Sequence, residues 1–330
     1  MKNASGWLVA LARIEGALPF LPPDVAEILA FRSLTRLWRT HLRDFPLEGV
    51  GPEHNPGLEA GQLMRTWYGA ERHALLAWIM RHGHPPLAAA ARRALAARPG
   101  TAKRPDPLAA ATIALGRLDA ALPSSTPLAT LAAVVEQLCR EEVDFLEGES
   151  EMRMVGGRVY SAPAARGAAW GLSLAIAVRP QLFALGAAPL ALAGVARREL
   201  FRALRERPVQ AILDEAIGQA AGWIAEDLAR AAAEAERARE VADGLYASSH
   251  AARCFRLLAG LAPLSRAELA RAMGVTARTA SLAVQHLEAR ALAELRLGDA
   301  MVVLRERRNS FSRLPISREA SVELEGFVKG

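Results

Sequence analysis

Residues 264–304 read LSRAELARAMGVTARTASLAVQHLEARALAELRLGDAMVVL, and the fold of the C-terminal part is decided in this stretch. Ser265 stands three residues before Glu268, so its hydroxyl can accept from the Glu268 backbone N–H while the carboxylate reaches back, a capping box. A helix therefore starts at Arg266. Leu269, Ala270 and Met273 make its apolar stripe, and Gly274 supplies the unhindered left-handed residue that ends a helix. Val275 then plugs the corner. Thr276 is placed to cap a second helix, in which Ala280, Ala283, Val284 and Leu287 recur at helical spacing. After Arg290 the pattern changes to two short strand-like runs, Ala293–Leu297 and Ala300–Arg305. Gly298-Asp299 between them is a two-residue hairpin signal.

The second helix leaves Arg278, Thr279, Ser281, Leu282, Gln285 and His286 pointing outward or to its flanks. These types suit the reading of double-stranded DNA: Arg forks onto guanine O6 and N7, Gln pairs bidentately with adenine, and Ser and Thr serve phosphates or either kind of base. Such a helix enters the major groove by its N-terminal residues, which makes Thr276, Arg278, Thr279, Ser281 and then Gln285 the expected contacts. Ser265, at the start of the preceding helix, joins that set. Arg296 and Arg305 flank the hairpin, where a neighbouring phosphate or minor groove is expected. From Arg253 to Arg313 the chain carries Arg253, Arg256, Arg266, Arg271, Arg278, Arg290, Arg296, Arg305, Arg307, Arg308 and Arg313 against Glu268, Glu288, Glu294, Asp299 and Glu306. Such an excess attracts phosphate.

The segment resembles the winged helix-turn-helix domain of MarR-type and ArsR-type bacterial regulators. Their pattern S-x-x-E-L-A-x-x-x-G-V-(S/T)-x-x-(T/S)-x-x-x-x-(V/I)-x-x-L-E is met by Ser265, Glu268, Leu269, Ala270, Gly274, Val275, Thr276, Thr279, Val284, Leu287 and Glu288. It departs at Ala291, where these regulators commonly carry Gly. The arrangement of a helical region ending in such a motif is also similar to uncharacterised plasmid-associated helix-turn-helix proteins of α-proteobacteria. The resemblance implies a bacterial regulator of transcription that binds DNA.

The whole chain has 330 residues, enough for two or three domains, and 52% of them are hydrophobic with a net charge of +6. Its pI near 10.0 comes largely from Arg and by itself says little about nucleic acid. Cys139 and Cys254 lie far apart, which gives no metal spacing and no disulfide framework and fits a reducing cytoplasm. Trp7–Ala12 is a short apolar run broken by Arg13 and Glu15, without a secretory cleavage site. Gly167–Ala196 is the most apolar stretch. Arg179-Pro180 and Pro189 cut it below the roughly 18 to 20 residues that span a bilayer, so two buried helices are expected there and no membrane partner.

Mainly α structure is expected throughout, as a multi-helical region followed by the C-terminal unit. The organisation reads as a helical region at 1–98, a linker at 99–107, a second helical region at 108–250, the helix-turn-helix unit at 251–308 and a tail at 309–330. Helices follow from the periodicity of Trp7, Leu8, Leu11, Ile14 and Leu18, and of Ile28 to Leu42 behind Asp24 as cap. Leu63 to Ile79 and Leu87 to Ala97 extend the pattern. Residues 46–61 and the run RPGTAKRPDP at 98–107 are Pro- and Gly-rich connections. Further helices are read at 108–122, 128–146, 164–178, 180–185, 188–207 and 209–248. Val155, Val159 and Tyr160 around Gly156-Gly157 indicate a small hairpin or an ordered loop.

Enzymatic constellations are weak. His73, His82 and His84 with Glu71 do not share a helical face, so loop histidines at the surface are the reading, with no metal and no cofactor. The acidic run Glu141, Glu142, Asp144, Glu147, Glu149 and Glu151 reads as a solvated face. No phosphate-binding loop and no nucleophile elbow is present. The expectation is a non-enzymatic DNA-binding protein. A plasmid or chromosome maintenance factor, or an interaction scaffold that uses the winged helix on protein, stand as alternatives. The long helix before residue 251 either supports a homodimer or packs on its own domain. Trp38, Trp67, Trp78, Trp170 and Trp223 either line a pocket for a small-molecule or protein effector or belong to the core.

Overall fold

The computed structural model describes residues 6–44, 72–98, 108–141, 145, 150–155, 157–163, 168–183, 185, 189–201, 205–243, 249–296 and 300–305. The chain is mainly helical. Helix α1 (Gly6–Ala17) buries Trp7, Leu11 and Ile14 and gives way to a 3-10 turn at Leu18–Phe20, where Pro19 interrupts the donor series. Helix α2 (Pro23–Asp44) opens on Pro23, and the Asp24 carboxylate accepts the Val25 N–H at 3.0 Å. Asp24 thus sits inside the first turn instead of preceding it as the cap. Helix α3 is described over 72–82, and α4 (Pro85–Ala97) starts on two prolines, whose missing N–H groups cost nothing at a helix start. The connections at 46–61 and 99–107, the tail at 309–330 and Trp67 lie outside the described residues.

Helices α5 (Ala109–Ala120) and α6 (Pro127–Glu141) precede an antiparallel hairpin of β1 (Ser150–Val155) and β2 (Arg158–Pro163). Val155 faces Arg158 in its register, so of the two readings of this stretch, hairpin or ordered loop, the hairpin is the one that forms. Helix α7 (Ala168–Ala177) packs on α5 with residues 171–177 buried on every side. The helix expected at 188–207 does not form among the described residues of that stretch. Residues 189–197 run as a buried irregular segment, and only Arg198–Phe201 makes a 3-10 turn. Pro189 removes a helical donor, and Gly194 takes φ +78° with its Cα pressed on Trp223. A Cβ there would lie 2.8 Å from the indole ring. The Leu192 N–H finds the Ala177 carbonyl at 3.0 Å, so this buried turn is not left without backbone partners. The stretch expected as a helix at 180–185 is a 3-10 turn at Pro180–Phe183.

Helix α8 (Val209–Ala242) is the long rod of the molecule, and α9 (Ala251–Leu261) follows it. Helix α2 packs on α4, α8 and α9. The core is continuous from Trp7 and Phe31 through Trp78 and Ile212 to Phe255, Leu287 and Val302. Helices from both sides of residues 99–107 therefore share it with the C-terminal elements. The approach of α9 to α2 is close. A Cβ on Gly260 would lie 2.2 Å from the Phe31 Cβ, and the Thr35 hydroxyl donates to the Gly260 carbonyl at 2.7 Å. Among the described residues no helix is long and apolar enough to cross a membrane.

The crossing at Gly260 has no room to relax, since the obstructing atom is the first side-chain carbon of a fully buried Phe. Gly260→Ala is expected to cost about 1–3 kcal/mol in urea unfolding, despite the better helix propensity of Ala.

Candidate nucleic-acid interface

A short strand, β3 (Leu264–Ser265), leads from α9 into α10 (Arg266–Met273), and the sequence pattern did not reveal it. It pairs with β5 (Met301–Leu304), Leu264 opposite Val302 and Ser265 opposite Met301, and β5 in turn pairs with β4 (Ala293–Arg296). The three strands form an antiparallel sheet in the order β3-β5-β4. Two residues are too few for the alternation that identifies a strand from sequence. The Gly298-Asp299 turn lies outside the described residues.

Helix α10 begins as the capping box requires. The Ser265 hydroxyl accepts from the Glu268 N–H at 3.2 Å, and the Glu268 carboxylate accepts from the Ser265 N–H at 2.7 Å. That carboxylate also binds Arg98, which follows α4: one hydrogen bond comes from Nε and a second, of 3.3 Å, from Nη2. Arg98 Nη2 further donates to the Pro263 carbonyl at 2.8 Å. Ser265 is thus part of a cap and a strand, and its hydroxyl serves structure. Burial alone would push the Glu268 carboxyl up, but the hydrogen bonds from Arg98 and Ser265 hold it below its ordinary value. Arg72 on α3 faces the same carboxylate. Burial first, then the charge of Arg98, pushes its pKa down to about 10.

Gly274 ends α10 at φ +65°, and the Val275 N–H returns to the Ala270 carbonyl at 3.0 Å. Thr276 caps α11 (Ala277–Ala289), accepting the Thr279 N–H at 3.2 Å, and the two threonine hydroxyls share a hydrogen bond of 2.9 Å. Ala280, Ala283, Val284 and Leu287 are buried as their spacing dictates, against α9, α10 and β4. Arg278, Leu282 and Gln285 are exposed and Ser281 is half-buried. Residues at i, i+3, i+4 and i+7 share one helical face, so these four side chains form a single stripe. Arg278 has no hydrogen-bond or ion partner among the described residues, and Leu282 is 50% exposed. Thr276 and Thr279 mark the N-terminal end of the stripe.

Several other arginines of this region are engaged within the chain. Arg256 pairs with Glu27 on α2 at 2.7 Å, Arg266 with Glu288 at 3.4 Å, and Arg271 donates to the Ala97 carbonyl at 2.9 Å. Arg290 reaches the C-terminal carbonyls of α8, with 2.9 Å to Val241, a cation placed at the negative end of a helix. Arg305 pairs with Glu294 across the hairpin at 3.1 Å, and the backbone of Arg296 faces Met301. Three of these arginines are thus paired with acids, while Arg271 and Arg290 bind backbone carbonyls and keep their charge. Arg307, Arg308 and Arg313 lie outside the described residues.

The departure at Ala291 also finds its geometry. Ala291 adopts φ +55°, its N–H bonds to the Glu288 carbonyl and that of Leu292 to the Leu287 carbonyl, both at 2.9 Å. This is the same helix stop that Gly274 makes on α10, built here on a residue with a Cβ.

Elsewhere, His84 Nε2 lies 2.7 Å from Gln181 Oε1 and the His82 ring packs on Trp78. Both are half-buried and tied to neighbours, not loose on a surface loop. Glu141 pairs with Arg117, and much of the acidic run lies outside the described residues. Among the described residues no three His, Cys, Asp or Glu side chains are grouped to hold a metal ion. Trp78 is fully buried core, while Trp38 and Trp223 are half-buried. No family model matches the chain, and no curated protein matches it either.

Because the Glu268 carboxyl is held below its ordinary value, its stabilising contribution is complete above the usual carboxylate range and disappears as pH falls through the lowered value. Glu268→Gln is expected to flatten that part of the acid limb of Tm against pH and to lower Tm at neutral pH. Ala291→Gly removes the left-handed penalty but frees the unfolded chain, for a net gain of roughly 0.5–1 kcal/mol in chemical denaturation.

Proposed function

We propose that the chain is a DNA-binding protein, a regulator of transcription that reads the major groove with α11 of a C-terminal winged helix-turn-helix. The order helix, strand, helix, helix, hairpin from α9 to β5 supports this reading, because it is the order in which such a unit buries its helices on a small sheet. The observation that carries it is the stripe Arg278, Ser281, Leu282 and Gln285 on the uncovered face of α11. Arg and Gln supply bidentate readout of guanine and adenine, Ser a phosphate or base contact, and Leu282 an apolar surface for a thymine methyl group. Thr276 and Thr279 bring the N-terminal turn of α11 to the backbone, where free N–H groups favour phosphate. A homodimer on a two-fold operator would double these contacts.

A second reading is favoured by two specific observations. Leu282 is apolar and exposed at the centre of the stripe, and Arg266 and Arg305 are paired with acids of the same unit. A protein partner suits such a face, and the chain would then be a scaffold.

Selection of bound fragments from a genomic library, followed by fluorescence anisotropy, separates the two. Specific DNA binding is expected, with an affinity that falls as salt rises by a slope of about 0.9 per phosphate neutralised. Arg278→Ala should cost about 1–3 kcal/mol of discrimination at one base position. Arg305→Ala should weaken all sequences alike and by less. Recovery of no fragment at low salt from folded protein would leave the scaffold reading in place.

A further inference from the structure

A cavity of about 430 Å3 opens where α2, the middle of α8 and the C-terminal end of α9 meet, and no residue of α11 lines it. Its α2 wall is a row of guanidiniums, Arg32, Arg36 and Arg39, which fall at i, i+4 and i+7 and so share a face. Arg230 joins them from α8. Against these four cations stand Asp227 and Glu226, which leaves two positive charges in excess.

The acids are already committed. Asp227 accepts from Arg32 Nε and Nη2 at 3.1 and 3.0 Å and from Arg36 Nη2 at 2.9 Å, with a further bond from Arg36 Nε. Glu226 binds Arg230 at 2.7 Å and Arg36 at 3.3 Å. The Ala259 and Gly260 carbonyls at the rim accept from Arg32 and Thr35. What remains to offer a ligand is donors: Arg36 Nη1 and the whole Arg39 guanidinium have no hydrogen-bond partner among the described residues. Donors gathered in a half-buried concavity with surplus positive charge select an oxyanion and repel a cation. The volume lies in the range of small-molecule sites and is much larger than a bare ion requires. Leu258 and Trp223, with Arg36 over its ring at 5.5 Å, supply an apolar wall for the rest of the molecule.

We propose that this cavity binds a small organic anion, its carboxylate or phosphate held between Arg36 and Arg39 and its body laid along Leu258 and Trp223. The lining includes Ala262, two residues before β3, so the ligand would sit against the segment that feeds the C-terminal unit.

The test uses the full chain without DNA, so its failure and that of the DNA-binding reading are independent. Thermal unfolding and titration calorimetry are run with adenosine 5′-monophosphate, citrate and benzoate, with uncharged adenosine and with chloride at matched ionic strength. At least one anion is expected to bind saturably and to raise Tm by about 5 °C near saturation, while adenosine and chloride do not. Which of the three binds tells a phosphate ligand from a carboxylate. Arg39 is exposed and has no partner among the described residues, so Arg39→Glu should keep the ligand-free Tm and abolish the shift, and Arg39→Lys should retain part of it. No saturable binding by any of the three anions, or an undiminished shift in Arg39→Glu, overturns the proposal.

Discussion

A buried carboxylate between two guanidiniums joins the parts of this chain. Asp227, with its side chain 4% exposed, stands in the middle of α8 and takes hydrogen bonds from Arg32 and Arg36 on α2. The same stretch of α2 reaches α9 through Arg32 to the Ala259 carbonyl and Thr35 to the Gly260 carbonyl, at 3.4 and 2.7 Å. Helix α2 is thereby fixed at one crossing to two helices whose contacting residues lie 191 to 227 positions later in the sequence. Removing one member of such a buried set typically costs about 3–5 kcal/mol, because the remaining charges keep their desolvation and lose their partner. The apolar contacts of Phe31 with Gly260 set the distance, and the polar ones set the rotation of α2 against α9.

Signals confined to one turn of chain were legible in the sequence. The capping box of Ser265 and Glu268, the left-handed stop at Gly274, the Thr276 cap and the inward set Ala280, Ala283, Val284 and Leu287 all lie where residue types and spacing place them. Each depends on neighbours within seven positions, so the reading needs no tertiary knowledge. Segments whose conformation is decided from a distance were misread. Residues 188–207 have helical composition, yet the ring of Trp223 presses on Gly194 and leaves an irregular turn. Strand β3 exists because β5 pairs with it, and nothing in Leu264-Ser265 announces that.

The candidate interface was legible in its residue types and not in its electrostatics. A run of arginines reads as a surface for phosphate, but sequence does not say which of them have partners. Arg271, Arg256 and Arg290 turn towards α4, α2 and α8, and each of these contacts spans some 50 to 230 positions. Arginine here is the residue that docks the C-terminal unit onto the helices before it. Its five donors and fixed charge suit it to capping carbonyls and carboxylates at helix ends. Arg278 differs because it has no hydrogen-bond or ion partner among the described residues, which is why a stripe of four side chains, and not the wider basic surround, marks the candidate interface.

The Glu268 carboxylate answers three donors, one from its own cap and two from Arg98, which lies 170 positions earlier in the chain. The first turn of α10 is therefore assembled across about half of the protein's contour. A loop of that length closes late and slowly, since its entropy must be overcome before the contact gives anything back. The helix pair that carries the candidate reading surface thus reaches its final form only after α4 has docked. A newly made C-terminal end would hold its stripe in a frayed setting until the remainder of the chain has folded around it.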